Sequence, residues 1–189
     1  NTFIDKDFED KKKNFNNFKS YQRYFKSIKI ILDQDKRKEF IINELNKISK
    51  KNNLTIELKE NLLEDINNIV EKPKIILCKF DKKFLKIPKE ILIITMQNHQ
   101  KYIPTFDKKQ NLTNFFLVVS DPKDIKGYVK EGNERVIEAR LNDAEFFWKR
   151  NKSQNLIKQL SDLKKINFFK GLGSYFDKTQ RIKKLSSLI

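Results

Sequence analysis

The run 132–150 constrains the fold most, because its apolar residues recur with the period of a helix. Apolar side chains stand at positions i, i+4, i+7 and i+11, and two neighbours widen the same stripe: Ile137, Leu141, Ala144 and Trp148, with Val136 and Phe147. This spacing predicts an amphipathic helix with one face in a core. Gly132 and Asn133 predict a loop and an N-cap at its start, and Lys149 and Arg150 suit its carboxyl end.

Arg140 places a cation at the border of this apolar stripe, between Val136 and Phe147 and close to Asp143. In one interpretation the aliphatic stem packs on the stripe while the guanidinium reaches water or Asp143. In the other interpretation the guanidinium is positioned for a phosphate or for a partner's carboxylate. The sequence leaves both open.

The composition predicts a globular protein that carries a large positive charge. In 189 residues, 38% are hydrophobic and 12% aromatic, enough for one sizeable core or two small ones. The net charge of +16 is typical of proteins that bind nucleic acid. However, only six of the 41 basic residues are Arg, and the abundance of Lys, Asn, Ile and Phe is typical of A/T-rich genomes. The charge alone is therefore weak evidence, although four of the six Arg lie between residues 135 and 181.

Several classes of site and segment find no support in the sequence. Cys78 is the single cysteine and lies in an apolar run, which indicates a buried thiol rather than a disulfide. His99 is the single histidine, so we predict no metal site and no catalytic residue. No apolar run is long enough to cross a bilayer. The first residue is Asn1 rather than Met, and we expect this sequence to begin inside a longer chain.

Residues 1–27 mix aromatic side chains with Lys and Asn. We predict an extended or partly helical arm that packs on the core, with stacking on single-stranded nucleic acid as the alternative. Residues 28–120 are predicted to form an α+β core. The predicted order is a strand at 28–32, a helix capped by Asp33, a helix ending before Pro73, a strand at 75–80, a helix from Pro88, and a hairpin of strands ending near Phe106 and covering 114–120.

Residues 121–189 are predicted to be mainly helical and to lead to a truncated domain junction. The predicted helices are a short one at 124–130, the one at 132–150, one through 156–163, and a last one with Ile182, Leu185 and Leu188. The run Gly171–Ser174 predicts a tight turn with Ser174 as N-cap, and the alternative is an anion site near Lys178 and Arg181. The predicted fold class is α+β, with a small mixed or antiparallel sheet and packed helices, followed by this mainly helical part.

Three sequence blocks carry a resemblance to a known family. They are TMQNHQKYIP at 95–104, GNERVIEARLNDAEFFWKR at 132–150, and GLGS at 171–174 followed by DKTQRI at 177–182. In their order and spacing these blocks resemble the β subunit of bacterial heterotetrameric glycyl-tRNA synthetase. The HD-type and anticodon-binding domains of that family have no counterpart in these residues, so the resemblance implies an internal fragment.

The resemblance implies participation in the ATP-dependent attachment of glycine to tRNA(Gly) in the cytoplasm. It implies an α2β2 holoenzyme that uses ATP and Mg, in which the α subunit carries the catalytic site. This segment is then expected to be inactive alone, to hold no cofactor, to lie outside any membrane, and to position tRNA or scaffold neighbouring domains. The expected contacts to tRNA or to a partner are Lys101, Arg135, Arg140, Lys178 and Arg181.

Two alternatives from other functional classes stay open. A generic basic RNA-binding module would bind any RNA and lose affinity steeply with salt. A structural segment would bind a protein partner through its amphipathic helices and show no preference for tRNA.

Overall fold

The computed structural model describes residues 14–121 and 124–188. The chain divides into two compact units, one ending at Phe146 and the other beginning at Phe147. The elements lying in the first unit, or starting in it, are α1 (Phe18–Ser27), α2 (Gln34–Lys51), β1 (Thr55–Ile56), α3 (Glu60–Ile69), β2 (Lys74–Lys79), a 3-10 helix (Lys82–Lys86), α4 (Lys89–Gln100), β3 (Ile103–Phe106), β4 (Leu112–Ser120) and α5 (Tyr128–Ser153). The predicted arm falls in part on residues 1–13, which lie outside the described residues.

The second unit contains shorter elements. They are α6 (Leu156–Gln159), a 3-10 helix (Leu160–Lys165), β5 (Asn167–Phe169), β6 (Gly173–Ser174) and α7 (Tyr175–Ser186). None of the helices in the described ranges is long and apolar enough to cross a membrane.

A four-stranded antiparallel sheet organises the first unit, with strand order β1-β3-β4-β2. Strand β4 lies at its centre, pairing with β3 on one side and with β2 on the other. The predicted hairpin of β3 and β4 is confirmed, as is the predicted α+β class with a small antiparallel sheet. The two-residue strand β1 was not predicted, because so short a strand has no hydrophobic period of its own.

Successive residues of β4 serve the two faces of the sheet. Leu117 belongs to a buried cluster with apolar residues of α2 and α3, among them Ile41 and Leu45. Phe116, on the other face, has its ring centroid 4.9 Å from that of Tyr102 and 6.4 Å from that of Phe80. All three rings are buried, so apolar packing covers both faces of the sheet.

The predicted strand at 28–32 is wrong. Lys29 adopts a left-handed conformation with φ of 65°, which turns the chain directly after α1. The N–H of Ile30 donates to the carbonyl of Phe25 (2.9 Å), and that of Ile31 to the carbonyl of Glu71 (3.0 Å). Ile30 is buried. The β-branched run is therefore apolar because it packs into the core from a turn, and not because it belongs to a sheet.

The two predicted helices at 124–130 and 132–150 form one continuous helix, α5. Asp124 caps it, since its carboxylate accepts the N–H groups of Val129 (2.9 Å) and Lys130 (3.0 Å). Asn133 is therefore not the N-cap: its amide donates to the Val129 carbonyl (2.7 Å) and its Oδ1 accepts from the Tyr102 hydroxyl (2.7 Å). A glycine such as Gly132 costs a helix only about 1 kcal/mol, which these contacts offset.

The helix predicted through 156–163 is shorter than expected, since α6 gives way to a 3-10 helix at Leu160. The predicted turn at Gly171–Ser174 joins β5 to β6, a two-stranded hairpin that the sequence did not predict. Ser174 is the N-cap of α7, as predicted, and it forms a reciprocal capping box with Asp177. Gly173 has φ of +76°, and a Cβ there would meet the Asp177 carboxylate, so the position favours glycine.

Candidate nucleic-acid interface

Positive charge is concentrated in the second unit. From residue 147 onward the sequence holds eleven Lys and Arg against two Asp, a net charge of +9 in under a quarter of the chain. The remaining residues, 1–146, hold 30 basic and 23 acidic residues, a net charge of +7. This asymmetry makes the second unit the more basic surface by a wide margin.

The two acidic residues of the second unit are engaged locally. Asp162 pairs with Lys165 at 2.9 Å. Asp177 accepts the N–H of Ser174 at 2.7 Å and its hydroxyl at 2.8 Å. These bonds are the main reason that the pKa of Asp177 is lowered, with the nearby Arg181 and Lys164 adding to them. The carboxylates therefore offset only a small part of the local positive charge.

The capping box also determines whether the backbone amides at the start of α7 are free to bind an anion. The free amide at the start of a helix is a common anion site. Here the Ser174 amide is occupied by the Asp177 carboxylate, and the Asp177 amide donates weakly to the Ser174 hydroxyl at 3.3 Å. The turn is thus completed by the protein's own side chains, in agreement with the interpretation as a tight turn with an N-cap.

Lysines lie over aromatic rings on the surface of the second unit. The ammonium of Lys178 is 4.2 Å from the ring centroid of Phe168 and 5.6 Å from that of Tyr175. The rings of Phe168 and Tyr175 meet edge to face at 5.3 Å. Lys164 lies 4.9 Å from the ring of Phe176. Such pairs hold a cation close to an aromatic face, and surfaces that bind single-stranded nucleic acid combine the same two residue types.

Lys178 and Arg181, both predicted as contacts, lie on α7 three positions apart. Arg181 is exposed and donates one bond, from Nη1 to the carbonyl of Leu172 at 3.0 Å. A shallow basic depression of about 510 Å³ lies along the same helix. It is lined by Gln180, Arg181, Lys183, Lys184 and Ser187. The structure therefore brings these two predicted residues together with further cations.

The other three predicted contacts lie in the first unit and are spread out. Lys101 is the left-handed C-cap of α4, and its ammonium pairs with Asp65 at 2.7 Å. Arg135 pairs with Glu131 at 3.2 Å along α5. Arg140 is exposed, and among the described residues it forms no ion pair with Asp143. Arg135 and Arg140 are five positions apart and so point roughly 140° apart around the helix.

The sequence reasoning missed the aromatic residues of the second unit as site candidates. Phe168, Phe169, Tyr175 and Phe176 alternate with Lys164, Lys170 and Lys178. The same mixture of rings and cations singled out residues 1–27, so the signal was present. It was overlooked because the hairpin that presents these rings was not predicted.

The acidic pair Glu134 and Glu138 has structural partners. Glu134 accepts the backbone N–H of Lys79 at 2.9 Å and lies 3.9 Å from Lys130, and Glu138 lies 4.0 Å from Lys83. Both line a polar depression of about 450 Å³ in the first unit. These contacts tie α5 to the edge of the sheet, where β2 ends.

Cys78 lies fully buried on β2. Burial above all, and then the negative charge of Glu134, raises the pKa of its thiol to about 12. The thiol therefore stays protonated at neutral pH and is a poor nucleophile. Within the described ranges, no three or more His, Cys, Asp and Glu side chains are grouped to hold a metal ion.

Comparison with known proteins identifies the family. The family model described as glycyl-tRNA synthetase beta subunit matches residues 1–189. The chain is 39% identical to the glycine--tRNA ligase beta subunit of Dictyoglomus thermophilum over 87% of this chain and 24% of the relative. It is 37% identical to that of Clostridioides difficile, over 89% of this chain and 25% of the relative, and 35% identical to that of Rickettsia felis, over 95% and 27%. The chain spans about a quarter of the length of these relatives, and it belongs to the glycyl-tRNA synthetase beta subunit family.

Proposed function

We propose that this chain is a non-catalytic segment of a glycyl-tRNA synthetase β subunit, which supports the attachment of glycine to tRNA(Gly) by positioning the tRNA. The observation that carries the proposal is the concentration of charge in the second unit, +9 from residue 147 onward. A polyanion releases counterions when such a surface neutralises its phosphates. Family membership makes tRNA(Gly) the polyanion of choice.

In this proposal the chain works within an α2β2 holoenzyme in the cytoplasm. The α subunit carries out the chemistry with ATP and Mg, and the present segment contributes binding energy and orientation. The burial and hydrogen bonding of its reactive side chains favour a non-catalytic role. The Cys78 thiol is buried with its pKa raised to about 12, Glu134 is bonded to the β2 backbone, and Asp177 caps α7.

The proposal is tested by titrating the chain with tRNA(Gly) and with an unrelated tRNA across a salt series. A double variant, Lys178→Gln with Arg181→Gln, removes two cations from α7. A matched control, Lys108→Gln with Lys109→Gln, removes two cations from the exposed loop between β3 and β4. We expect the α7 variant to weaken binding to tRNA(Gly) and to reduce the salt slope by about 2, and the loop variant to change neither.

The possible results separate three functions. Selective binding of tRNA(Gly) that depends on α7 supports tRNA positioning. Salt-dependent binding that ignores tRNA identity would instead indicate the generic RNA-binding module. If no tRNA binds even at low salt, positioning is wrong and domain scaffolding is left. A parallel double variant, Arg135→Gln with Arg140→Gln, asks whether the α5 cations contribute.

A specific observation favours scaffolding as the second candidate. The second unit exposes large apolar side chains, including Ile157 (77% exposed), Ile182 (54%) and Leu185 (62%). Such side chains in one small unit are typical of a surface covered by other protein. The remainder of a β subunit could supply that cover, since the chain spans about a quarter of its relatives.

A further inference from the structure

Phe169 stands out on the surface of the second unit because its ring is 68% exposed. It is the last residue of β5, and its cross-strand partner in the hairpin is Gly173. Glycine has no side chain, so the ring of Phe169 lacks the neighbour that normally shields a residue in a sheet. Any other residue would be strained here, because φ is +76° and a Cβ would meet the Asp177 carboxylate.

The preceding residue, Phe168, packs against α7. The register between β5 and β6 shifts between Asn167 and Phe169, so the contacts of Phe168, rather than the alternation of a regular strand, place its ring. Phe168 is half-buried against Tyr175 and Lys178, with the ring centroids of Phe168 and Tyr175 5.3 Å apart. Phe168 thus fixes the hairpin to α7 and leaves Phe169 turned away from that contact.

The turn that follows Phe169 also anchors a guanidinium. The N–H of Leu172 donates to the carbonyl of Phe169 at 3.0 Å, which closes the turn. The carbonyl of Leu172 in turn accepts Nη1 of Arg181 at 3.0 Å. One exposed ring and one exposed guanidinium are therefore held at the same turn. A guanidinium has five N–H donors, so this single bond leaves donors for a phosphate.

We propose that Phe169 and Arg181 form a binding site for an unpaired nucleotide of RNA, with the base stacked on the ring and the phosphate held by the guanidinium. Lys170, exposed and next in sequence to Phe169, adds a second cation. This inference rests on the proposed function and names the feature of the tRNA that is bound: an unpaired nucleotide. Bases within a duplex are already stacked on both faces and cannot use such a ring.

Charge distinguishes RNA from a purely apolar partner at this site. The two carboxylates of the second unit are engaged with Lys165 and Ser174, whereas its sequence holds eleven Lys and Arg, of which Lys164 and Lys178 lie against aromatic rings. An apolar protein surface placed here would have to desolvate those cations without neutralising them. A strand of RNA satisfies the rings with bases and the cations with phosphates.

The test uses the full 189-residue chain and three fluorescently labelled ligands: a ten-nucleotide single-stranded RNA, the duplex of the same sequence, and tRNA(Gly). We expect Phe169→Ala to weaken binding of the single strand by roughly 5- to 150-fold, the range measured when an aromatic stacking partner is removed. Binding of the duplex should change by less than about twofold, because its bases do not use the ring. Phe169→Trp should keep the affinity for the single strand.

Two controls guard the interpretation. Ile157→Ala removes an apolar side chain that is 77% exposed in the same unit, and it should leave binding unchanged. Far-UV circular dichroism should show that Phe169→Ala is folded, as expected for a side chain on the surface. Equal losses for single strand and duplex, or no loss for either, would overturn the proposed site.

The outcomes also separate this inference from the proposed function. If tRNA(Gly) binding depends on Lys178 and Arg181 but Phe169→Ala leaves it intact, the nucleotide site is wrong and tRNA positioning stands. If the unsubstituted chain binds neither tRNA(Gly) nor the single strand at low salt, both are wrong, and the exposed ring belongs to a protein contact.

Discussion

The two units of the chain use apolar side chains in different ways. In the first unit, apolar residues from α2, α3, the sheet and α5 are fully enclosed, for example Ile41, Phe116 and Leu141. In the second unit, none of the side chains that the structure describes is buried, although the sequence there is also rich in Phe, Leu and Ile. A helical apolar period predicts a face; it does not predict what covers that face.

The contacts that hold each unit differ accordingly. The first unit depends on packing on both sides of a sheet, with buried polar side chains such as Asn114 satisfied by hydrogen bonds and the Ser49 hydroxyl as the exception among the described residues. The second unit depends on local contacts between near neighbours in sequence: a hairpin, a capping box and lysines over rings. In the second unit the ring of Phe169 stays exposed, whereas the rings of Phe80, Tyr102 and Phe116 in the first unit are buried.

Truncating a phenylalanine in each unit tests most directly whether the two units differ in how much their stability depends on apolar side chains. Phe116→Ala should lower the free energy of unfolding by about 3–5 kcal/mol, because it opens a cavity in a closed core. Phe169→Ala should change it by less than about 0.5 kcal/mol, because the ring is already in water. Urea titrations followed by circular dichroism give both values. Similar losses for the two would show that the second unit depends on its rings for folding.

Arg37 tests whether polar contacts matter equally inside the first core. It is 7% exposed, and it donates from Nε to the Asn67 carbonyl (3.1 Å) and side chain (3.0 Å) and from Nη1 to the Ile31 carbonyl (2.6 Å). Arg37→Met keeps the length of the stem and leaves these acceptors unpaired, so we expect a loss of about 2–3 kcal/mol. Arg135→Met, on the exposed side of α5, should cost less than about 0.5 kcal/mol. Equal effects would mean that the Arg37 bonds are replaced by water.

Alkaline pH should destabilise the first unit selectively. Burial raises the pKa of the Cys78 thiol from 9.0 to about 12 and that of the Tyr102 hydroxyl from 10.0 to about 12. Both groups are neutral when protonated, so the folded state favours the proton. Their contribution is fully present below pH 9 and is lost as the pH rises towards 12, by about 2 kcal/mol for the pair near pH 10.

The pH effect is checked by urea titrations between pH 7 and pH 11 on the native chain and on Cys78→Ala. The variant should be less stable at neutral pH, because it leaves a small cavity, but its stability should decline less between pH 9 and pH 11. An unchanged decline would assign the alkaline loss to other groups.

The sequence predicted most of the first unit because its signals were both periodic and long. Asp33 capped α2 as predicted, and the continuous apolar run within 114–120 predicted the central strand. The failures came from tertiary context. The run Ile28–Ile31 is apolar because it is packed into a turn and not because it forms a strand. Gly132 and Asn133 lie inside α5 because the Asp124 carboxylate caps the helix before them and the Tyr102 hydroxyl bonds to Asn133, and neither contact is visible in the local sequence.

The candidate site was predictable in part only. Lys178 and Arg181 were singled out because they follow a glycine turn at a helix start and lie in the resembling blocks, and their role as contacts stays a prediction. The role of Phe169 needs the register of a three-residue strand, which decides that Gly173 lies opposite it. No pattern in so short a strand specifies a register, so the sequence could not show whether the Phe169 ring is exposed or lies in a core.

The smallest expected effect compares the capping boxes at the starts of α1 and α7. Asn17 caps α1 with Ser20, and Ser174 caps α7 with Asp177. Asn17→Ala and Ser174→Ala each remove one cap, worth about 1 kcal/mol. The rate of amide hydrogen exchange should increase more in α7 than in α1. Helix α1 is also held by the buried ring of Phe25, whereas α7 has no buried residue among those described.

This exchange experiment also bears on how the second unit binds. If α7 opens locally once its cap is lost, single-stranded RNA should restore its protection, since a ligand that binds only the closed helix stabilises it. RNA should leave the exchange of α1 unchanged in both variants. Equal exchange in the two helices after removal of their caps would mean that α7 is held by more than its local contacts, and the contrast between the two units would then be one of exposure and not of stability.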